Sequence, residues 1–209
     1  MKPKLIVISG FSGAGKGKLT QLLATRHDCL KIIRSCTTRP RRDASDHYTY
    51  LSEAEFLAMR ENDAFLECNY YLDHWYGTPR DETCHILREG RQAIAEIDYH
   101  GFFQLLESRL LPREAVCGIF VAAEASVLYD RLCGRGSESP DTLKRRLCTA
   151  LEESSRLCAY DCIVINDDLE RALAQCEAII LEGRRLSSAF DTARFHEEMN
   201  AIIAKLSVI

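Results

Sequence analysis

The sequence predicts an α/β fold with a parallel sheet. Short apolar runs alternate with helical patterns along the chain, and this alternation is typical of parallel strands joined by right-handed crossovers. A glycine-rich segment, Gly10–Lys16, follows the apolar run Leu5–Ile8 and precedes a helical pattern with Leu19, Leu22 and Leu23. Because ligands bind at the carboxyl ends of the strands in such sheets, this segment predicts where the functional site lies.

The remaining elements are predicted from hydrophobic periodicity and turn residues. Ser52 and Glu55 form a capping box that opens a helix. The predicted elements are, in chain order, strand Lys31–Thr37, the run Tyr48–Tyr50, helix Glu53–Glu61, strands Ala64–Cys68 and Tyr70–Tyr76, a helix from Pro79 to about Gly90, strand Gln92–Ile97, helix Gly101–Ser108, strand Ala115–Val121, helix Ala125–Cys133, a helix from Pro140 to about Cys158, strand Cys162–Ile165 and helix Leu169–Glu182.

Composition and charge exclude several classes of function. The chain has 209 residues, 46% hydrophobic and 28% charged, which is ordinary for a soluble globular protein. A net charge of −4 argues against a nucleic-acid or anionic-membrane surface. The apolar stretch near the N-terminus is too short for a signal peptide or membrane span, so we expect a cytoplasmic protein. The ten cysteines are scattered without a C-x-x-C pair, which predicts reduced thiols and no metal site.

The glycine-rich segment fits the phosphate-binding pattern G-x-x-x-x-G-K. Its glycines let backbone N–H groups converge on phosphate oxygens, and the following helix directs its positive end at them. Lys16 supplies a point charge for the β- and γ-phosphates. Gly17 stands where the pattern has Ser or Thr, so we expect Mg²⁺ to be held mainly by nucleotide phosphates and water. The predicted phosphate-binding residues are Gly10, Ser12, Gly13, Ala14, Gly15, Lys16, Gly17 and Lys18.

A second cationic cluster predicts a site for an acceptor phosphate. Phosphoryl transfer holds donor and acceptor in line and neutralises charge on both. Ser35, Arg39, Arg42 and Tyr48 supply such a cluster, and arginine binds phosphate through two parallel hydrogen bonds. Charge alone would equally fit a solvated basic turn.

At these residues the sequence resembles guanylate kinase. The acceptor segment of that family reads S-x-x-T-T-R-x-P-R and is followed by Y-x-F; this chain has Ser35, Thr38, Arg39 and Arg42, then Tyr48-x-Tyr50. Pro40 is one place early, Arg41 occupies the family's proline, and Ala44-Ser45 replaces the usual Gly-Glu. The family's glutamate and Y-G-[ST] appear as Glu67 and Tyr76-Gly77-Thr78, and its D-x-D-x-Q-G appears as Glu96-Ile97-Asp98-Tyr99-His100-Gly101.

The resemblance implies a GMP site. Glu67 and Asp98 would face the guanine edge, Thr78 its O6, and Tyr48 and Tyr76 the GMP phosphate. The chemistry agrees, because the Watson–Crick edge of guanine presents two donors and ionised carboxylates only accept. Adenine would leave a carboxylate unpaired, at a cost of about 1–3 kcal/mol per buried group.

Arginines near the C-terminal third resemble the lid of the same family. Arg131 and Arg135 are four residues apart in a predicted helix, and Arg146 lies in the next one beside Lys144 and Arg145. A closing segment can use arginines to stabilise a transferring phosphoryl group, although a solvated charged helix is the alternative. The resemblance implies that Arg131, Arg135 and Arg146 are catalytic, together with Lys16 and Arg39.

Asn166-Asp167-Asp168 matches the family's N-D-D after a strand. By resemblance, Asn166 would lie against the adenine of ATP. Asp167 and Asp168 could instead cap the following helix.

The resemblance covers about residues 4–182 and implies ATP-dependent phosphorylation of GMP to GDP, a step of purine nucleotide metabolism, with Mg²⁺. Two alternatives stay open: a kinase acting on ribose 1,5-bisphosphate, and a related module that binds protein partners without catalysis. In the C-terminal tail, Phe195, Met199, Ile202, Ile203 and Leu206 follow helical spacing, which fits a helix packed on its own domain or a homodimer contact. The implied architecture is a single domain, 1–209, with a three-layer P-loop NTPase core (1–34, 80–133 and 151–185), a small β-rich GMP-binding subdomain (35–79), a helical lid (134–150) and a C-terminal helical extension (186–209).

Overall fold

The structure is a computed structural model that describes residues 2–41, 48–71, 73–134 and 139–206. Within these ranges the strands are β1 (Leu5–Gly10), β2 (Leu30–Ile32), β3 (Cys36–Thr37), β4 (Thr49–Tyr50), β5 (Phe65–Tyr71), β6 (His74–Pro79), β7 (Gln92–Glu96), β8 (Val116–Ala122) and β9 (Cys162–Ile165). The helices are α1 (Lys16–Arg26), α2 (Glu53–Glu61), α3 (Arg80–Arg88), α4 (Tyr99–Ser108), α5 (Ala125–Cys133), α6 (Pro140–Ser154), α7 (Leu169–Glu182) and α8 (Thr192–Leu206).

The chain forms two compact units. The first unit comprises 1–8 and 20–117, and the second comprises 9–19 and 118–209. Strand β1 contributes its first four residues to one unit and its last two to the other.

The first unit contains parallel strands and a smaller sheet. In the parallel part, β7 lies between β2 and β1. The smaller sheet has the order β4-β3-β6-β5, in which β5 and β6 form an antiparallel hairpin and β3 pairs with β6. Its apolar core is formed by Cys36, Phe56 and Phe65, with Trp75 packed against them. Its strands carry three of the eight residues predicted to bind the acceptor, namely Glu67, Tyr76 and Thr78.

The second unit contains β8 and β9, which pair in parallel. Its helices are α5 to α8, and α8 packs against α5 and α6. Phe195 and Met199 of α8 are fully buried. The tail helix therefore packs on its own unit, which was one of the two predicted alternatives. The predicted α/β class with a parallel sheet is confirmed.

Several helix starts and ends follow the predicted capping chemistry. Ser52 and Glu55 form both hydrogen bonds of a capping box at the start of α2. Asp168 accepts a hydrogen bond from the Arg171 backbone and caps α7, whose bounds agree with the prediction. Among the described residues, no helix is long and apolar enough to cross a membrane. All ten cysteines lie within the described ranges, and all are free thiols.

Four predicted elements differ from the structure by three residues or more at one end. The strand predicted over Lys31–Thr37 is two strands, because β2 ends at Ile32 and β3 belongs to the smaller sheet. The hairpin strands predicted over Ala64–Cys68 and Tyr70–Tyr76 end and begin later in the chain, as β5 (Phe65–Tyr71) and β6 (His74–Pro79). Between them lies Asp73, which has a φ of 65° that aspartate tolerates. Helix α6 ends at Ser154 rather than near Cys158.

The helix that carries Arg131 has the predicted bounds. Helix α5 begins at Ala125 and ends at Cys133, with Gly134 as its cap. Arg135 and Gly136 lie outside the described residues, as do Arg42 and the turn at 43–47 that follows it.

Candidate active site

The phosphate loop connects β1 to α1 in the second unit. Gly10, Gly13 and Gly15 all have positive φ, at 145°, 88° and 87°. A side chain at Gly10 would overlap the Val121 carbonyl, and a Cβ at Gly15 would lie 2.6 Å from Nδ2 of Asn166. The backbone path of the loop therefore requires glycine at these positions.

The Lys16 side chain folds back over the loop. Its ammonium Nζ donates to the carbonyl oxygen of Gly10 at 2.6 Å and to that of Phe11 at 3.0 Å. These bonds hold the positive charge at the loop that the sequence predicts to bind phosphate. Gly17 follows in α1 without a hydroxyl, and Lys18 is exposed at the start of the same helix.

Arg146 of α6 contacts the phosphate loop directly. Its Nη1 donates to Oγ of Ser12 at 2.6 Å, and the residue is only 8% exposed. Ser139 caps the helix that carries it, with its hydroxyl accepting from the Thr142 backbone. The structure thus brings one predicted lid arginine to the loop.

Asn166 bonds to the loop from the end of β9. Its side-chain Nδ2 donates to the Ala14 carbonyl at 2.6 Å, and its backbone carbonyl accepts from Nη2 of Arg131 at 2.9 Å. Asn166 is 3% exposed, and its Oδ1 has no hydrogen-bond partner among the described residues. Asn166 therefore links the loop to α5, and its contact with adenine stays a prediction.

The described residues predicted to bind the acceptor phosphate all lie in the first unit. The guanidinium of Arg39 lies 5.4 Å from the Tyr48 ring centre, and the Tyr48 and Tyr76 rings are 5.9 Å apart. Arg39 is 6% exposed, with its backbone N–H bonded to Oγ1 of Thr37. Ser35 is also buried, and its carbonyl accepts from the Thr49 backbone.

Glu67 and Thr78 face each other across the β5–β6 hairpin. They are register partners, and the Thr78 hydroxyl donates to Oε1 of Glu67 at 2.5 Å. Both side chains are buried. Burial raises the pKa of the Glu67 carboxyl to about 7; the Thr78 hydrogen bonds oppose this rise and the negative charge of Asp98 adds to it. Glu67 therefore changes charge near neutral pH.

Asp98 is fixed at the start of α4. Its Oδ1 accepts from the Gly101 backbone at 2.8 Å as the helix N-cap, and its Oδ2 accepts from Nδ2 of Asn69 at 3.0 Å. A Cβ at Gly101 would overlap Oε2 of Glu67. The glycine of this segment thus lets the Glu67 carboxylate lie against the start of α4.

Sequence reasoning missed Asn69 and the role of Gly101. Asn69 is two residues after Glu67 in β5, so strand alternation places both side chains on the same face. That period was the available signal. The approach of Gly101 to Glu67 joins residues distant in the sequence, and no local pattern indicates it.

Three residues that depart from the family pattern, His100, Arg41 and Glu96, lie within the described ranges. The exposed His100 ring lies 3.8 Å from the Tyr99 ring, and the Arg41 guanidinium lies 5.8 Å from the Tyr50 ring. Glu96 ends β7 and is half-buried. Within the described ranges, no group of three or more His, Cys, Asp or Glu residues could hold a metal ion.

The chain is similar to several known proteins. A family model described as guanylate kinase matches residues 2–182. The guanylate kinase of Caldanaerobacter subterraneus subsp. tengcongensis is 40% identical over 180 residues, which cover 85% of this chain and 86% of that protein. The guanylate kinase of Syntrophomonas wolfei is 37% identical over 186 residues, which cover 86% of this chain and 92% of that protein. The crystal structure of guanylate kinase from Anaplasma phagocytophilum matches with a TM-score of 0.66 at 25% identity, covering 87% of this chain and 86% of that one.

Proposed function

Because this chain belongs to the guanylate kinase family, we infer that it transfers the terminal phosphoryl group of ATP to GMP, giving ADP and GDP. The chain is an enzyme, an ATP:GMP phosphotransferase. The observation that carries the choice of acceptor is the buried Glu67–Thr78 pair, with Asp98 near enough to act on the Glu67 charge. A pocket with two carboxylates is suited to a base that presents two donors.

For the donor, we propose that the loop Gly10–Gly17 binds the ATP phosphates. Backbone N–H groups and the start of α1 would hold the phosphate oxygens. The Lys16 ammonium would exchange the Gly10 and Phe11 carbonyls for phosphate oxygens, which are stronger acceptors because they are charged. Lys18, exposed at the same helix start, adds positive charge there.

For the acceptor, we propose that ionised Glu67 and Asp98 accept from the guanine N1–H and amino group. The Thr78 hydroxyl has one proton, which now goes to Glu67, so this proton must turn toward guanine O6 when GMP binds. Arg39, Tyr48, Tyr76 and Ser35 would bind the GMP phosphate, and Arg42, outside the described residues, would join them.

The lid arginines are proposed to stabilise the charge of the transferring group. Arg146 would move its contact from the Ser12 hydroxyl to the phosphoryl oxygens, while Arg131 acts from α5. Arg135 has the same proposed role but lies outside the described residues. No general base is needed, since the acceptor is a phosphate oxygen already ionised at neutral pH.

Magnesium fits as part of the nucleotide rather than as a resident ion. Gly17 offers no hydroxyl, and the Ser12 hydroxyl is bonded to Arg146. We therefore propose that Mg²⁺ is held mainly by ATP phosphates and water, where it supplies charge neutralisation. A cytoplasmic location without nucleic-acid or membrane partners also stays a proposal, as does a homodimer.

The test is magnesium-dependent release of ADP from ATP, with GMP, AMP and ribose 1,5-bisphosphate offered separately as acceptors. We expect turnover with GMP and none with the other two. Turnover with ribose 1,5-bisphosphate instead would contradict the guanine-binding roles of Glu67 and Asp98. Folded protein that binds ATP and turns over none of the three would be a binding module rather than an enzyme.

A further inference from the structure

The C-terminal segment 186–206 lies beyond the residues matched by the family model, yet it is firmly attached to the second unit. Ser188 donates its backbone N–H to the Ile163 carbonyl at 2.8 Å, and the Ser187 hydroxyl accepts from the Ile163 N–H at 3.1 Å. The tail therefore satisfies both backbone groups of a residue in β9. This attachment fixes where the following helix starts.

Helix α8 packs against α6 and is oriented by the cap of its first turn and by a hydrogen bond to α6. Asp191 caps the helix, because its Oδ1 accepts from the Arg194 backbone at 3.0 Å. Nε2 of His196 lies 2.6 Å from the Ser154 hydroxyl of α6, the helix that also carries Arg146. Because the cap holds the start of α8 and the His196 bond holds its second turn, the helix directs Phe195 into the unit, where the side chain is 1% exposed.

The Phe195 ring stacks on a residue of the phosphate loop. The Phe195 and Phe11 ring centres are 4.7 Å apart, and their planes differ by 6°. Phe11 is fully buried and also meets Phe120 of β8 edge to face at 4.9 Å. The second residue of the loop is therefore clamped between a strand and the tail helix.

Holding Phe11 also holds the groups that shape the loop. The Phe11 carbonyl accepts from the Ala14 backbone at 3.0 Å and from the Lys16 ammonium at 3.0 Å, and its N–H donates to the Val121 carbonyl at 3.2 Å. A shift of the Phe11 ring would move this carbonyl and so the start of α1. Small displacements of positioning groups reduce catalysis strongly.

We propose that Phe195 is a positioning residue of the ATP site, acting through Phe11 to hold the phosphate loop in the shape that binds the triphosphate. The tail is thereby a working part of the donor site and more than a cover for the core. The proposal rests on the proposed function only for the identity of the donor nucleotide.

The test compares three variants: Phe195→Ala, Phe195→Leu and Met199→Ala. Met199 is the matched control, because it lies one turn farther along α8, is equally buried and has no aromatic ring to stack. Each variant is titrated with ATP in the absence of GMP, and its KM values for ATP and GMP and its melting temperature are measured. We expect Phe195→Ala to raise the dissociation constant and KM for ATP about three- to tenfold, with the KM for GMP unchanged.

The comparison between variants separates positioning from bulk stability. Phe195→Leu keeps apolar volume without the stacked ring and should fall between wild type and Phe195→Ala; it also decides the question if the alanine variant does not fold. Met199→Ala should lower the melting temperature without weakening ATP binding. Equal weakening by Met199→Ala, or Phe195 variants with wild-type ATP binding, would overturn the proposal. Wild-type protein that binds ATP but fails to phosphorylate GMP would refute the proposed function alone.

Discussion

The two regions proposed to bind nucleotide, one in each unit, would recognise their ligands in opposite ways. In the second unit, the phosphate loop presents backbone groups and cations, and its shape depends on glycines at positive φ and on the Asn166 and Phe11 contacts. In the first unit, the region proposed to bind the acceptor buries a carboxylate, Glu67, whose charge is disfavoured by burial. A phosphate group is recognised by charge and backbone geometry, whereas one base is distinguished from another by donors and acceptors in a dry pocket. The comparison predicts that donor-side changes act on any nucleotide and acceptor-side changes act on guanine.

The largest expected effect is on the donor side, at Lys16. We expect Lys16→Ala to lower kcat about 10²- to 10³-fold, because the positive charge that neutralises the β- and γ-phosphates is lost. Lys205→Ala, an exposed lysine in the last turn of α8, is the matched control and should keep wild-type turnover. Both variants should keep the wild-type melting temperature. Normal turnover by Lys16→Ala would refute the assignment of the phosphate loop.

On the acceptor side, Glu67→Gln should lower kcat/KM for GMP about 10- to 100-fold at pH 8. The reason is that a neutral amide replaces an ionised carboxylate, which is the stronger acceptor for the guanine donors. The KM for ATP should not change, which steady-state kinetics with each substrate varied would show. The variant should also gain stability relative to wild type as pH rises. The folded-state pKa of Glu67 lies above its unfolded value, so its contribution to the free energy of unfolding is present at low pH and is lost as pH rises through about 7.

Asn166 distinguishes loop positioning from adenine recognition. Asn166→Ala removes the bond to the Ala14 carbonyl and should raise the KM for ATP about tenfold, the cost of losing one buried hydrogen bond. If Asn166 positions the loop, the KM for GTP as donor should rise by the same factor as that for ATP. A loss confined to ATP would show instead that Asn166 reads adenine.

The smallest expected effect is at Asn69. Asn69→Ala removes the donor to Oδ2 of Asp98, so the KM for GMP should rise about three- to tenfold while the KM for ATP is unchanged. Asn69→Asp keeps the size of the side chain but places a negative charge beside Asp98, and it should impair GMP binding more than alanine does. If Asn69→Asp binds GMP as well as wild type, Asn69 does not position Asp98.

Local patterns predicted much of the fold, while distant contacts were out of reach. The capping box at Ser52, the bounds of α7 and the alternation of strands and helices depend on neighbouring residues, and they were confirmed. The strand predicted over 31–37 was wrong because a chain that leaves one sheet for another keeps the same apolar pattern.

The candidate site divides in the same way. The roles of Lys16 and Glu67 stay predictions. The motif and its spacing indicated Glu67 and Thr78 but did not predict that they pair across the β5–β6 hairpin. The stack of Phe195 on Phe11 and the bond from Asn166 to Ala14 join residues more than 150 positions apart. Such contacts arise from packing, which no pattern within one segment records.

The most direct test of the contrast between the two regions is the pH dependence of kcat/KM for GMP in wild type and Glu67→Gln. The GMP phosphate titrates in both proteins, so the ratio of the two values isolates Glu67. At about pH 8, we predict that kcat/KM for GMP is much higher for wild type than for the variant. The ratio of the two values should decrease as pH falls from 8 to about 6, because Glu67 becomes neutral below about pH 7. A ratio that stays constant over this range would contradict guanine recognition by an ionised Glu67.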